Sequence, residues 1–113
     1  MRRFLLVAAM VVATSSAQAG FYTGNEMLEM CEAKRGTVDR AICNGFITGV
    51  ADSMDAIRAW LGIKRQCVPG RVTTGQLVDL LKDYLEKHPA VRHDDAGAIA
   101  VLAISEAFCP GKQ

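Results

Sequence analysis

The sequence predicts an all-α protein, a small four-helix up-down bundle stapled by two disulfides. Three observations lead there. Apolar residues recur every three to four positions in four successive segments, and no stretch alternates with period two. Gly and Pro clusters punctuate those segments. Four cysteines, an even number, sit in a chain whose first residues have the make-up of an export signal.

That signal is read over residues 1–19. Met1-Arg2-Arg3 supplies a positive start, residues 4–13 are ten apolar residues without a break, and Ala17-Gln18-Ala19 is a small-x-small cleavage triplet. Ten apolar residues fall short of the roughly 20 needed to cross a bilayer core. The expectation is therefore a leader cleaved after Ala19, with no membrane anchor left behind. No cysteine follows the cleavage point, which excludes lipid attachment there. The mature domain is then 20–113, 94 residues with 11 basic and 12 acidic side chains.

The whole chain has 113 residues, 50% apolar, 22% charged and 6% aromatic, which is one globular domain. It is too short for a typical (β/α)8 barrel of about 250 residues. A formal net charge of +1 and few aromatics exclude a nucleic-acid binder built on phosphate contacts or base stacking. A domain this small buries little more than about 60% of its unfolded surface, so covalent reinforcement matters.

The first helix is read over 24–35. Thr23-Gly24-Asn25-Glu26 forms a capping box, Met27, Leu28 and Cys31 share a face, and Lys34 and Arg35 complement the negative helix end. Gly36 is expected as the left-handed cap. The second helix runs over 40–61 with Asp39 as N-cap, about 33 Å long. Its inner face is Cys43, Phe46, Ile47, Val50, Met54, Ile57 and Leu61. Gly45 and Gly49 lie one turn apart on another side. Each costs roughly 1 kcal/mol against Ala in a helix, so another backbone is expected to pack closely there.

A loop over 62–72 leads to the third helix. Thr73-Thr74-Gly75-Gln76 is a second capping box, Val72 and Leu77 hold the positions of a hydrophobic staple, and His88-Pro89 ends the helix. Its inner face is Leu77, Leu81, Tyr84 and Leu85. The fourth helix runs over 94–108. Ala96, Ala100, Ala103 and Ala107 form a small-residue stripe, with Ile99 and Leu102 beside it in the core.

The disulfide pattern follows from this layout. Cys31 and Cys43 each lie six residues from a turn centred on Thr37, so they face each other across a helical hairpin. Cys67, in the second connection, lies at the other end of the bundle, where the fourth helix brings Cys109. Any other pairing would span most of a helix length, against a Cα separation limit of about 7 Å. The pairs are Cys31–Cys43 and Cys67–Cys109.

Few residues offer chemistry. His88 and His93 suggest a papain-like cysteine site, but four paired cysteines leave no thiolate. The cysteine spacing contains no C-x-x-C pair, so no metal site is expected, and no cofactor motif is present. Asp52 and Asp55, one turn apart, read as solvated helix surface rather than as facing catalytic carboxylates. One charge feature stands out. Residues 58–71 carry Arg58, Lys64, Arg65 and Arg71 with no acidic residue, together with Trp60, the one tryptophan. Two readings fit: a solvated helix end with Trp60 in the core, or a binding surface anchored by Trp60 on a rigidly mounted loop.

The order of motifs resembles the Rap/Tai family of periplasmic immunity proteins against type VI secretion amidase effectors. Cys43-Asn44-Gly45-Phe46-Ile47-Thr48-Gly49 is similar to its Cys-x-Gly-aromatic-aliphatic-x-Gly helix. Cys67 followed by Pro69 resembles its Cys-Pro loop, and Val72-Thr73-Thr74-Gly75-Gln76 its Val-Thr-x-x-Gln helix start. Residues 84–89 resemble its Tyr-Leu-x-x-His-Pro stop, and Ala107-Phe108-Cys109 its closing motif. The departure is Pro110, placed after the cysteine where many relatives carry a proline before it. The resemblance implies a small, disulfide-bonded, often dimeric helical protein of the periplasm. It implies no enzymatic activity, and a partner that is a papain-like peptidoglycan amidase whose cleft it blocks. Arg58, Trp60, Lys64, Arg65 and Arg71 are the candidate contact residues. The alternative is an exported structural or chaperone-like helical protein acting on the cell's own envelope proteins.

Overall fold

The computed structural model describes residues 20–109; the leader read over 1–19, and Pro110, lie outside them. Four helices follow in order: α1 (Gly24–Glu32), α2 (Val38–Trp60), α3 (Thr74–Lys87) and α4 (Ala96–Phe108), with a 3₁₀ turn, Pro89–Val91, before α4. The architecture is all-α, as the periodicity predicts.

Local chemistry sets most of the helix starts. Thr23 Oγ1 accepts from the Glu26 amide at 3.3 Å, and the Glu26 carboxylate accepts from the Thr23 amide at 2.7 Å. These bonds to the Thr23 amide and hydroxyl hold the Glu26 carboxyl below its ordinary pKa. The same reciprocal box opens α3 through Thr73 and Gln76. Two starts differ from expectation. Thr37, not Asp39, caps α2 by accepting from the Arg40 amide, so the helix begins two residues earlier. Asp95 caps α4 by accepting from the Gly97 amide at 3.0 Å, so that helix starts at Ala96 rather than Asp94.

The helix ends depend on partners distant in sequence. α1 stops at Glu32, not at residue 35, because the Arg40 guanidinium reaches back to the carbonyls of Cys31 (3.0 Å) and Ala33 (3.4 Å). Lys34 and Arg35 lie in the turn, where Gly36 takes φ +85°. Arg92 does the same for α3, donating to the carbonyls of Leu85 and Glu86. In each case a cation neutralises the negative helix end and occupies its free carbonyls.

The core is formed by Met27, Leu28 and Cys31 of α1, Cys43, Ile47 and Ala51 of α2, four residues of α3 (Leu77, Val78, Leu81, Leu85), and Ala96, Ile99, Ala100 and Ile104 of α4. Cys31 and Cys43 are joined with Cα atoms 5.1 Å apart, and Cys67 and Cys109 with Cα atoms 4.9 Å apart, which are the two pairs the layout predicts. The chain before α1 is stitched to the chain before α4: the Gly24 amide donates to the Asp94 carbonyl and the Ala96 amide to the Tyr22 carbonyl.

Three packing expectations are corrected. Gly45 and Gly49 face open space, with no atom within 4 Å of where a Cβ would stand, so no backbone packs against them. Close approaches occur instead at Gly20, where a Cβ would run into the Asp95 carboxylate, and at Gly24, where it would meet Ile99, the Arg92 carbonyl and Leu85 at 2.8–2.9 Å. Ile57 and Leu61 do not belong to the inner face of α2; they are 54% and 68% exposed. On α4, Leu102 is exposed and Ala107 lies on the surface, so the buried part of the stripe is Ala96, Ala100 and Ala103.

Candidate functional site

The region read as a binding segment begins where α2 outruns its neighbours. At about 1.5 Å per residue, 23 residues extend roughly 34 Å, whereas α3 and α4 extend only about 20 Å. The last two turns of α2 therefore lose cover. Ile57, Trp60 and Leu61 are exposed, Trp60 to 87%.

Gly62 then reverses the chain at φ +76°. Its amide donates to the Ala59 carbonyl, and the Ile63 amide donates to the Arg58 carbonyl at 2.9 Å. This is a Schellman closure, which needs a residue at positive φ and so favours glycine. The returning strand of loop is pinned to α2 at two points. Arg58 Nε donates to the Arg65 carbonyl at 3.0 Å, and the Cys67 amide donates to Asp55 Oδ1 at 3.0 Å. The Cys67–Cys109 disulfide adds a covalent tie to the end of α4.

The five candidate residues divide into two groups. Trp60, Lys64 and Arg65 stand exposed around the reversal, beside a shallow depression of about 380 Å³ lined by Ala59, Ile63, Lys64 and Arg65. Arg71 is exposed but lies beyond the Cys67 tie, two residues before the α3 cap Thr73. Arg58 is half-buried and is committed to the loop backbone, so it holds the surface rather than forming it. Of the two readings of Trp60, the core position is overturned; its ring is in solvent.

Sequence reasoning missed two groups. Ile57 and Leu61 enlarge the apolar face around Trp60; the excess length of the second helix over its partners is the signal that could have shown it. Asp55, expected on solvated helix surface, is half-buried and anchors the loop. Asp52 is exposed.

The remaining chemistry-bearing groups are engaged locally. All four cysteines are in disulfides. His88 stacks on Tyr84 with ring centroids 4.1 Å apart, and His93 lies 3.2 Å from Asp94. Burial, with the negative charge of Glu106 beside it, raises the Tyr84 hydroxyl above its ordinary pKa. No group of three or more potential metal-ligating side chains occurs among the described residues. No helix among the described residues is long and apolar enough to cross a membrane.

No match was found among curated proteins or among solved structures. The family model of Rap1a immunity proteins matches residues 23–109, which takes in all four helices and both disulfides, and the chain belongs to that family.

Proposed function

We propose that the protein is a periplasmic immunity protein, exported through a leader over residues 1–19 and able to bind and inhibit a type VI secretion peptidoglycan amidase. Binding would protect the cell from its own or a sibling's effector. The family supports the partner class, an effector protein. The placement on the surface rests on one observation: an exposed Trp60 with Ile57 and Leu61, rimmed by Lys64 and Arg65 on a loop held by a disulfide. Such a surface combines an aromatic anchor with cations that steer an acidic partner, at little ordering cost. A homodimer is compatible with this reading.

Two variants of the oxidised protein test it against the cognate amidase. Trp60→Ala should weaken binding by about 2 kcal/mol, roughly thirtyfold. Changing Lys64, Arg65 and Arg71 together to Ser should lower the association rate and flatten its salt dependence. Arg58 is left intact because it supports the loop. Unchanged affinity of both variants at low salt would move the interface elsewhere on the bundle; absence of any amidase binding by the wild type would defeat the immunity reading.

A further inference from the structure

We infer that removal of the leader creates an intramolecular ion pair, in which the new α-ammonium of Gly20 docks on the carboxylate of Asp95, the N-cap of α4. The inference rests on the leader reading above. It adds a role for the first mature residue that the immunity function does not require.

The placement is set by backbone bonds of the residues that follow Gly20. The Ala96 amide donates to the Tyr22 carbonyl at 2.9 Å, the Gly24 amide to the Asp94 carbonyl at 3.0 Å, and the Asn25 amide to the Arg92 carbonyl at 2.8 Å. Thr23 and Asp95 form an antiparallel bridge. These contacts hold residues 22–25 against the entry to α4, and Gly20 is carried with them. A Cβ built on Gly20 would run into the Asp95 carboxylate, meeting both of its oxygens. By covalent geometry the nitrogen of Gly20 then lies within about 5 Å of that carboxylate. A residue with a side chain would be pushed off; glycine allows the approach.

Hydrolysis of the Ala19–Gly20 bond by a leader peptidase leaves a carboxylate on Ala19 and an ammonium on Gly20. Before cleavage the nitrogen is a neutral amide; after it, a positive charge faces Asp95. The other charged groups nearby are engaged elsewhere. The Arg92 guanidinium bonds the end of α3, Glu26 bonds Thr23, and His93 lies against Asp94. Asp95 keeps one oxygen on the Gly97 amide, and its negative charge also complements the positive end of α4. Processing therefore strengthens the junction between the two helix starts, α1 and α4.

The sign of the pH effect follows. The pair raises the folded pKa of the α-amino group, so its stabilisation is complete below the unfolded value of about 7.7–8.0 and is lost as pH rises through the higher folded value. The experiment uses oxidised protein prepared with Gly20 as its first residue, with ¹³C-labelled Gly20 followed by NMR through pH 6–10. The α-amino pKa should lie above 8.0 in the wild type and within about 7.7–8.0 in Asp95→Asn, which keeps a good N-cap. Nα-acetylation should lower Tm by about 2–5 °C at low salt in the wild type and leave Asp95→Asn unchanged. Equal α-amino pKa values in the two proteins, or an equal effect of acetylation on both, would overturn the pair. The leader reading is judged separately by intact mass: an exported protein beginning elsewhere than Gly20 defeats that reading while leaving the prepared protein's result intact.

Discussion

The two halves of α2 obey the same apolar periodicity and end in opposite environments. In the first half, Cys43 and Ile47 are buried against three other helices, and so is Ala51 just past the midpoint. In the second half, Ile57 and Trp60, with the C-cap Leu61, continue the pattern into solvent. The difference lies in the partners. α1, α3 and α4 are too short to cover the last turns, and the loop that returns along that end covers one flank through Arg58 and Asp55. An amphipathic pattern thus marks a face that can be buried. In one half the protein's own core buries it, and in the other we assign it to a partner.

The largest expected effect concerns the tie that holds the projecting end. Replacing Cys67 and Cys109 by Ser should cost about 4 kcal/mol on the loop-closure estimate, against about 3 kcal/mol for the Cys31–Cys43 pair, read as unfolding free energies extrapolated to water with m measured for each variant. Equal losses, or a larger loss for the shorter loop, would mean that core packing around Cys31 and Cys43 outweighs chain entropy.

The next test makes the same truncation in both halves of α2. Ile47→Ala, at a position with no exposure, should destabilise by about 3 kcal/mol. Ile57→Ala, half exposed, should stay within about 0.5 kcal/mol. A comparable loss at both positions would show that the end of α2 is covered in solution by something, a second copy of the chain being the first to test by sedimentation.

A smaller effect than the loss at Ile47 has the opposite sign. Gly45→Ala should stabilise by about 0.5–1 kcal/mol, since a methyl there meets open space and helix propensity favours Ala. A destabilisation in thermal melts would reveal a close neighbour on that face.

Much of the fold was legible because it is encoded within a few residues. The capping boxes of Thr23 and Thr73 need only a hydroxyl and an acceptor three positions on, and both formed. The disulfide pairing was legible because helix direction and length restrict which cysteines can meet. The candidate segment was legible as a charge pattern with a lone tryptophan. The roles within it were not: Arg58 and Arg65 look alike in sequence, yet one supports the loop with its side chain and the other offers its side chain to solvent. Glycines were misread for the same reason. Gly45 and Gly49 have the spacing of a packing motif, and Gly24 has none, yet Gly24 is where other groups crowd in.

By itself the sequence determined the helix count, most of the inner-face residues, the two disulfides and the motif order that marks the family. Each depends on local hydrogen bonding, on a period of 3.6 residues, or on reach along the chain. Only the tertiary structure decided which glycines are crowded, which arginines close the ends of α1 and α3, and where α2 leaves the core. Those outcomes depend on the relative lengths and placement of elements far apart in sequence. A residue's neighbours across the bundle, unlike its neighbours along the chain, exist only once the helices have packed.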